Sequence, residues 1–263
     1  MEILGIDIGG TGIKGAPVNI ETGELTGERH RILTPQPATP EAVIHTVGEI
    51  VHHFNWKGPI GCGFPAVVKN GIIHTAANVD QSWIGTDAAT LVKKIVGTPA
   101  SFLNDADAAG LAEMKFGAGK GRNGLIGIVT LGTGIGTAFF INGQLIPNTE
   151  LGHLEVRGKD AEKRAAESVR IRKELNWKQW AERVDEYLGR LEALLWPDLF
   201  IIGGGVSKNF EKFSSYLTLK TETVSAQLLN EAGIVGAALA AAPATPAPAK
   251  KATPARPAAR AKA

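Results

Sequence analysis

Three glycine-rich turns, each directly after an apolar run with strand character, constrain this chain more than any other feature. Gly9-Gly10-Thr11-Gly12 follows residues 2–8, Gly132-Thr133-Gly134-Ile135-Gly136 follows residues 125–131, and Gly203-Gly204-Gly205 follows residues 198–202. Lacking a Cβ, glycine reaches positive φ and lets successive backbone N–H groups converge on an anion. One such turn would be an ordinary bend. Three of them, the first preceded by Asp7, point to phosphate handling.

With 263 residues, 44% hydrophobic and 21% charged, the chain has room for one large or two modest domains with a full core. A single cysteine, Cys62, leaves no disulfide framework and no cysteine zinc site, which fits a reducing compartment. The N-terminus runs straight into a strand pattern and no apolar stretch is long enough to cross a bilayer. The expectation is a soluble cytoplasmic protein without a membrane partner. The formal charge of +2 is uneven: residues 243–263 carry five basic side chains and no acidic one, and removing those five leaves the rest at −3. Built from Ala, Pro, Thr, Lys and Arg, this tail is expected to be disordered, either solubilising or loosely attractive to a polyanion.

Residues 2–8, 12–20 and 27–35 read as an antiparallel meander, with Glu21-Thr22-Gly23-Glu24 as a hairpin turn. Residues 40–54 have helical spacing behind an N-cap at Thr39 and a proline at the first helical position. A buried strand at 58–64, a hairpin around Lys69-Asn70-Gly71, a helix at 86–96 and a strand at 100–103 complete one α/β unit, residues 1–105. The plan then repeats over residues 106–231: a helix from about 107 to 116, strands at 125–131 and 136–141 with the turn Asn142-Gly143, a helix at 177–196 whose aromatics read as core, and a strand at 198–202. A final helix, 232–242, is assigned to the first unit.

Gly10-x-Gly12-x-x-Gly15 fits the dinucleotide fingerprint by letter, but that site needs a helix next, and a β pattern containing Pro17 follows instead. No Walker-type loop is present. Gly117-Ala118-Gly119-Lys120-Gly121 has neither its spacing nor its hydroxyl. Asn104-Asp105 sits between an apolar strand and a helix, where an aspartate either caps the helix or serves as a base that takes a proton from an attacking hydroxyl.

Leu4-Gly5-Ile6-Asp7-Ile8-Gly9-Gly10-Thr11 resembles the first phosphate element of the sugar kinase, heat-shock ATPase and actin group. That resemblance implies a two-domain, ribonuclease-H-like α/β fold of the actin type. It also implies that Asp7 holds Mg²⁺, usually through water, while Gly9, Gly10, Thr11, Gly12 and Lys14 face the phosphates. Glu150-Leu151-Gly152-His153, taken with the Gly-Gly-Thr opening and residues 131–136, resembles the ROK family of bacterial sugar kinases and repressors over nearly the whole chain up to about residue 240. The implied sugar ligands are Asn104, Glu150 and His153, with Asp105 as base. Many relatives follow the histidine with a cysteine-rich zinc loop; this chain has none, and a charged segment, residues 156–168, stands there. That segment, residues 196–205 and residues 233–238 resemble the polyphosphate-using branch of the family. Glu162 or Glu167 is expected to supply a further sugar carboxylate.

The cations of residues 157–173 fit either a solvated helix face or a polyphosphate groove. No DNA-reading head precedes the first strand, so no nucleic-acid partner is expected. The implied activity is phosphoryl transfer from polyphosphate or ATP to the 6-hydroxyl of glucose, with mannose as a second acceptor. Gly132, Thr133 and Gly134 would hold phosphate, and Gly203, Gly204 and Gly205 the adenosine. The alternatives are an ATP-only hexokinase for glucose, mannose or an N-acetylated sugar, and a sugar-sensing regulator without catalysis. Monomer and homodimer both fit the sequence.

Overall fold

The structure of the chain, a computed structural model, describes residues 1–77 and 79–243. The disordered tail expected over residues 243–263 lies outside the described residues except for Pro243.

Strands β1 (Glu2–Ile8), β2 (Ile13–Asn19) and β3 (His30–Ile32) form the expected antiparallel meander. The first glycine turn closes tightly between β1 and β2, Gly9 N–H donating to the Gly12 carbonyl at 3.1 Å. The third strand is shorter than expected, because only residues 30–32 find ladder partners on β2. Helix α1 (Pro40–His53) starts as predicted, with Thr39 Oγ1 accepting from Ala42 N–H. Its buried stripe of Val43, Val47, Ile50 and Val51 packs with Leu4, Ile6 and Ile8. Then come β4 (Ile60–Phe64) and the two-residue strands β5 (Val68–Lys69) and β6 (Ile72–Ile73), whose turn holds Asn70 and Gly71 at positive φ. Helix α2 (Ala88–Ile95) begins later than expected, because Asp87 accepts from Thr90 N–H and caps it. Strand β7 (Ala100–Asn104) completes a sheet ordered β3-β2-β1-β4-β7, with β1, β4 and β7 parallel.

After helix α3 (Asp105–Phe116), strands β8 (Leu125–Leu131), β9 (Ile135–Ile141) and β10 (Gln144–Ile146) form a second meander. Between it and helix α6 (Trp177–Leu195) lie β11 (Glu155–Val156), β12 (Lys159–Asp160), α4 (Glu162–Ala165) and α5 (Glu167–Arg172). The charged segment is therefore a ribbon and two short helices, not one solvated helix. Asn176 and Gln179 cap α6 reciprocally, and Trp180 and Tyr187 are fully buried, as the core reading of those aromatics requires. Strands β13 (Leu199–Gly203) and β14 (Glu222–Ser225) follow, and helix α7 (Ala232–Ala240) ends the described chain. The second sheet, β10-β9-β8-β13-β14, repeats the order and polarity of the first. This is the actin-type, ribonuclease-H-like arrangement.

Helices α3 and α7 pack against each other, and α7 lies on β1 and β4. Small residues permit that closeness. A Cβ on Gly61 would run into the Ala237 carbonyl, and one on Gly236 into the Ala108 carbonyl. Adding atoms to a filled contact of this kind costs about 1–3 kcal/mol. Gly61→Val is therefore expected to lower the melting temperature by several degrees. Gly189→Ala, inside α6 with nothing within 4 Å of its missing Cβ, is expected to raise it. Paired thermal melts check the contrast.

Candidate active site

Strand β7 delivers Asn104 and Asp105 to the start of α3. The Asn104 oxygen accepts from Ala106 N–H (2.9 Å) and Asp107 N–H (3.1 Å), so Asn104 caps this helix. The helix starts at Asp105, two residues earlier than the spacing suggested, and the capping alternative for Asp105 gives way to a cap on its neighbour. The Asn104 amide nitrogen donates to the Ala66 carbonyl (3.2 Å) and to Glu150 Oε1 (3.3 Å). Asp105 is thereby set at the helix N-terminus, its Oδ1 accepting from Ala106 N–H at 2.8 Å.

Desolvation raises the Asp105 pKa to about 7, helped by repulsion from Asp7, Glu150 and Asp107 and opposed by the Ala106 N–H. Its neighbour Asp107, 1% exposed, is pushed up to about 6, again mainly by burial. Asp107 Oδ2 accepts from Asn148 N–H (2.8 Å), and Oδ1 has no partner. The Asn148 side-chain amide in turn accepts from Val68 N–H (2.8 Å) and donates to the Val68 carbonyl (2.9 Å). Sequence reasoning missed this Asp107–Asn148–Val68 link. The available signal was weak: Asn148 holds φ 57°, a conformation asparagine tolerates.

A cleft of about 620 Å³ opens above Asp105. Asp7, Gly9, Gly10 and Thr11 line one wall and Gly132, Thr133 and Gly134 the other; Asn104, Glu150, His153 and Glu162 also line it. Burial raises the Glu150 carboxyl, with His153 opposing and Glu162 adding to the shift. Gly12 is outside the lining, and so is Glu167, whose carboxylate lies 3.8 Å from Arg170. Of the two carboxylates considered for the sugar, only Glu162 reaches the cleft. Pro65, Ala66, Thr75 and Ala77 also line it, and no motif announced them.

A smaller cavity of about 210 Å³ shares Asp7, Asp105 and Gly204 with the cleft and adds Lys14, Gly203, Gly205 and Asn230. All three glycine turns thus converge on one region. At Gly204, φ is +81° and a Cβ would strike the Leu131 backbone, so this turn requires glycine. Buried Glu113 fixes the far wall, its Oε1 accepting from Gln227 and Leu228 N–H at 2.9 and 2.7 Å.

Two places suit a cation. Asp7 offers hard carboxylate oxygens beside the phosphate turns, a donor that fits Mg²⁺. His153, Asp160 and Glu162 bring ligand atoms within 4.8 Å of one another, but Lys163 already pairs with Asp160 at 2.8 Å. His153 stands 3.7 Å from both Glu150 and Asp160.

The sequence profile of the ROK family matches residues 3–166. A polyphosphate glucokinase from Mycobacterium tuberculosis is 53% identical over 238 residues, covering 90% of each chain. The crystal structure of an inorganic polyphosphate/ATP-glucomannokinase from Arthrobacter superposes with a TM-score of 0.88 at 48% identity, covering 90% of this chain and 97% of that one. A ROK family glucokinase from Streptomyces griseus, solved with glucose and AMPPNP, shares the fold at TM-score 0.79 and 24% identity, covering 90% of this chain and 98% of that one.

The raised Asp105 pKa has a consequence for stability. An ordinary aspartate titrates near 3.8, so between about pH 4 and 7 the folded chain holds a proton that the unfolded chain has released. Ionisation at this site therefore opposes folding increasingly as pH rises through that window. Asp105→Asn is expected to raise the melting temperature most at pH 8, the gain shrinking towards pH 4. A gain that did not vary with pH in calorimetry would contradict the assignment of the pKa.

Proposed function

The chain belongs to the ROK family, and on that premise we propose that it moves the terminal phosphoryl group of inorganic polyphosphate, and of ATP, to the 6-hydroxyl of glucose, with mannose as a second acceptor. One observation carries the reading: a half-buried carboxylate of raised pKa, Asp105, shares a cleft with two anion-binding glycine turns and with Asn104, Glu150 and His153. The names of the Mycobacterium and Arthrobacter relatives support the donor and the sugar. The cavity at Gly203–Gly205 gives a nucleoside a place to sit, which favours keeping ATP as a second donor.

The first sheet with α7 forms one lobe and the second sheet the other, divided near residue 105, with glucose between them. Asn104, Glu150, His153 and Glu162 hold the sugar hydroxyls, and carboxylates, an amide and an imidazole together can accept from and donate to a diol. Asp105 takes the proton from O6 as that oxygen attacks phosphorus. The new O6–P bond forms while the bridging P–O bond breaks, releasing ADP or a polyphosphate one unit shorter. Amides of residues 9–11 and 132–134 and the Thr11 hydroxyl grip the oxygens on which charge develops. Mg²⁺, held at Asp7, supplies further neutralisation of that charge when bound. Closure of the lobes on glucose keeps water from taking the phosphoryl group. A cytoplasmic setting suits these substrates and the single, buried thiol of Cys62.

A base with pKa about 7 is half ionised near neutrality, close to the optimum for proton transfer. In pH-rate profiles, kcat/KM is expected to fall about tenfold per unit below pH 7, as Asp105 becomes protonated. Asp105→Asn should reduce kcat by roughly 10²–10⁴-fold while leaving the KM for glucose within a few-fold. The activity itself is tested by assaying the purified chain with polyphosphate and with ATP against a hexose panel. Hexose 6-phosphate from both donors is expected with glucose; no transfer from polyphosphate would overturn the donor assignment.

A further inference from the structure

Strand register puts Asp7, Lys14 and Arg31 in one row across the first sheet: Asp7 lies opposite Lys14, and Lys14 opposite Arg31. Directly opposed residues share a face of the sheet. Asp7 and Lys14 line the cavity beside Asp105, so Arg31 extends that face towards the edge strand. Lys14 Nζ is 3.3 Å from Asp7 Oδ2. Arg31 is exposed, and its guanidinium lies over Gly12, where a Cβ would collide with it. Its Nη2 donates to the Thr11 carbonyl at 3.3 Å. Among the described residues Arg31 has no carboxylate partner within ion-pair distance.

Four of the cations that the sequence offered for a phosphate polymer are committed elsewhere, while Lys159, Arg172 and Lys173 are exposed and make no ion pair among the described residues. Arg157 and Arg164 both bind Glu186, at 2.5 and 2.8 Å, and Lys163 binds Asp160. Arg170 pairs with Glu167 and stacks on Trp177. Arg31 instead holds a five-donor fork at the rim of the first phosphate turn, with one hydrogen bond made.

We propose that Arg31, with Lys14 inboard of it, is a donor subsite for the phosphates that trail the transferred one in a linear polyphosphate; this rests on the polyphosphate reading above. ATP ends in a nucleoside, which the Gly203–Gly205 cavity receives. A polymer carries charge on every unit and gains from a cation beyond the turn. Neighbouring strands are about 4.8 Å apart, so Lys14 and Arg31 meet successive stretches of one chain. A guanidinium fork binds phosphate oxygens in pairs, which an ammonium does not.

The test compares wild type, Arg31→Gln and Arg31→Lys at saturating glucose, with long-chain polyphosphate and with ATP, over a range of KCl. For Arg31→Gln, the ratio of kcat/KM with polyphosphate to kcat/KM with ATP is expected to fall about tenfold, through the KM for polyphosphate. The slope of log KM against log salt should drop by about one. Arg31→Lys, which keeps the charge and loses the fork, should fall about threefold and decides the matter if the Gln variant melts below assay temperature. An unchanged ratio, or equal losses with both donors from a distorted turn, would overturn the subsite. Wild type that phosphorylates glucose from ATP and not from polyphosphate would instead remove the donor assignment on which it rests.

Discussion

The side-chain amide of Asn104 is the joint on which the site depends. Its oxygen accepts twice from the first turn of α3, and its nitrogen donates to Ala66 and to Glu150. Every donor and both lone pairs are used. One residue therefore starts the helix, fixes the loop after the first sheet's β4 and orients a carboxylate that arrives from the second meander. Asp105 follows it in sequence and has no freedom to sit elsewhere. The Asp107–Asn148–Val68 link runs alongside and ties the same three segments again.

That arrangement is costly. Burial makes Asp105, Asp107 and Glu150 harder to ionise, and repulsion adds to it: from Asp7, Glu150 and Asp107 on Asp105, from Glu150 on Asp107, and from Glu162 on Glu150. A chain selected for stability alone would not place four carboxylates here. The cost becomes useful when a cation and a phosphate enter, because the same field that raises a base to about 7 is what a cation relieves. The close approach of α7 to α3 at Gly236 and Ala108, and to β4 at Gly61, supplies packing that offsets this cost from outside the cleft.

Much of this was legible in the sequence, and the reasons for the rest are physical. The glycine turns are local, so their position after strands showed at once, and the repeat of one meander-helix plan foretold two sheets of like order. Asp7, Asn104, Asp105, Glu150 and His153 are adjacent to turns or strand ends, and all line the cleft. Strand β14 was hidden because Glu-Thr-Val-Ser at a sheet edge has little apolar signal. Whether Glu162 or Glu167 faces the cleft depends on where α4 ends, which spacing did not define. The pairing of Arg157 and Arg164 with Glu186 joins residues far apart in sequence, and so does the row that aligns Arg31 with Lys14. Contacts of that kind are fixed by register and tertiary packing, and a single sequence leaves them open.

The central claim is that the Asp105 carboxylate meets the hydroxyl that is phosphorylated. A crystal structure of the chain with glucose and a non-transferable donor tests it directly. Glucose O6 is expected within about 2.6–3.2 Å of an Asp105 oxygen, on the side facing the Gly9–Thr11 and Gly132–Gly134 turns. Glucose bound with O6 turned away from Asp105, towards Glu150 or His153, would contradict it.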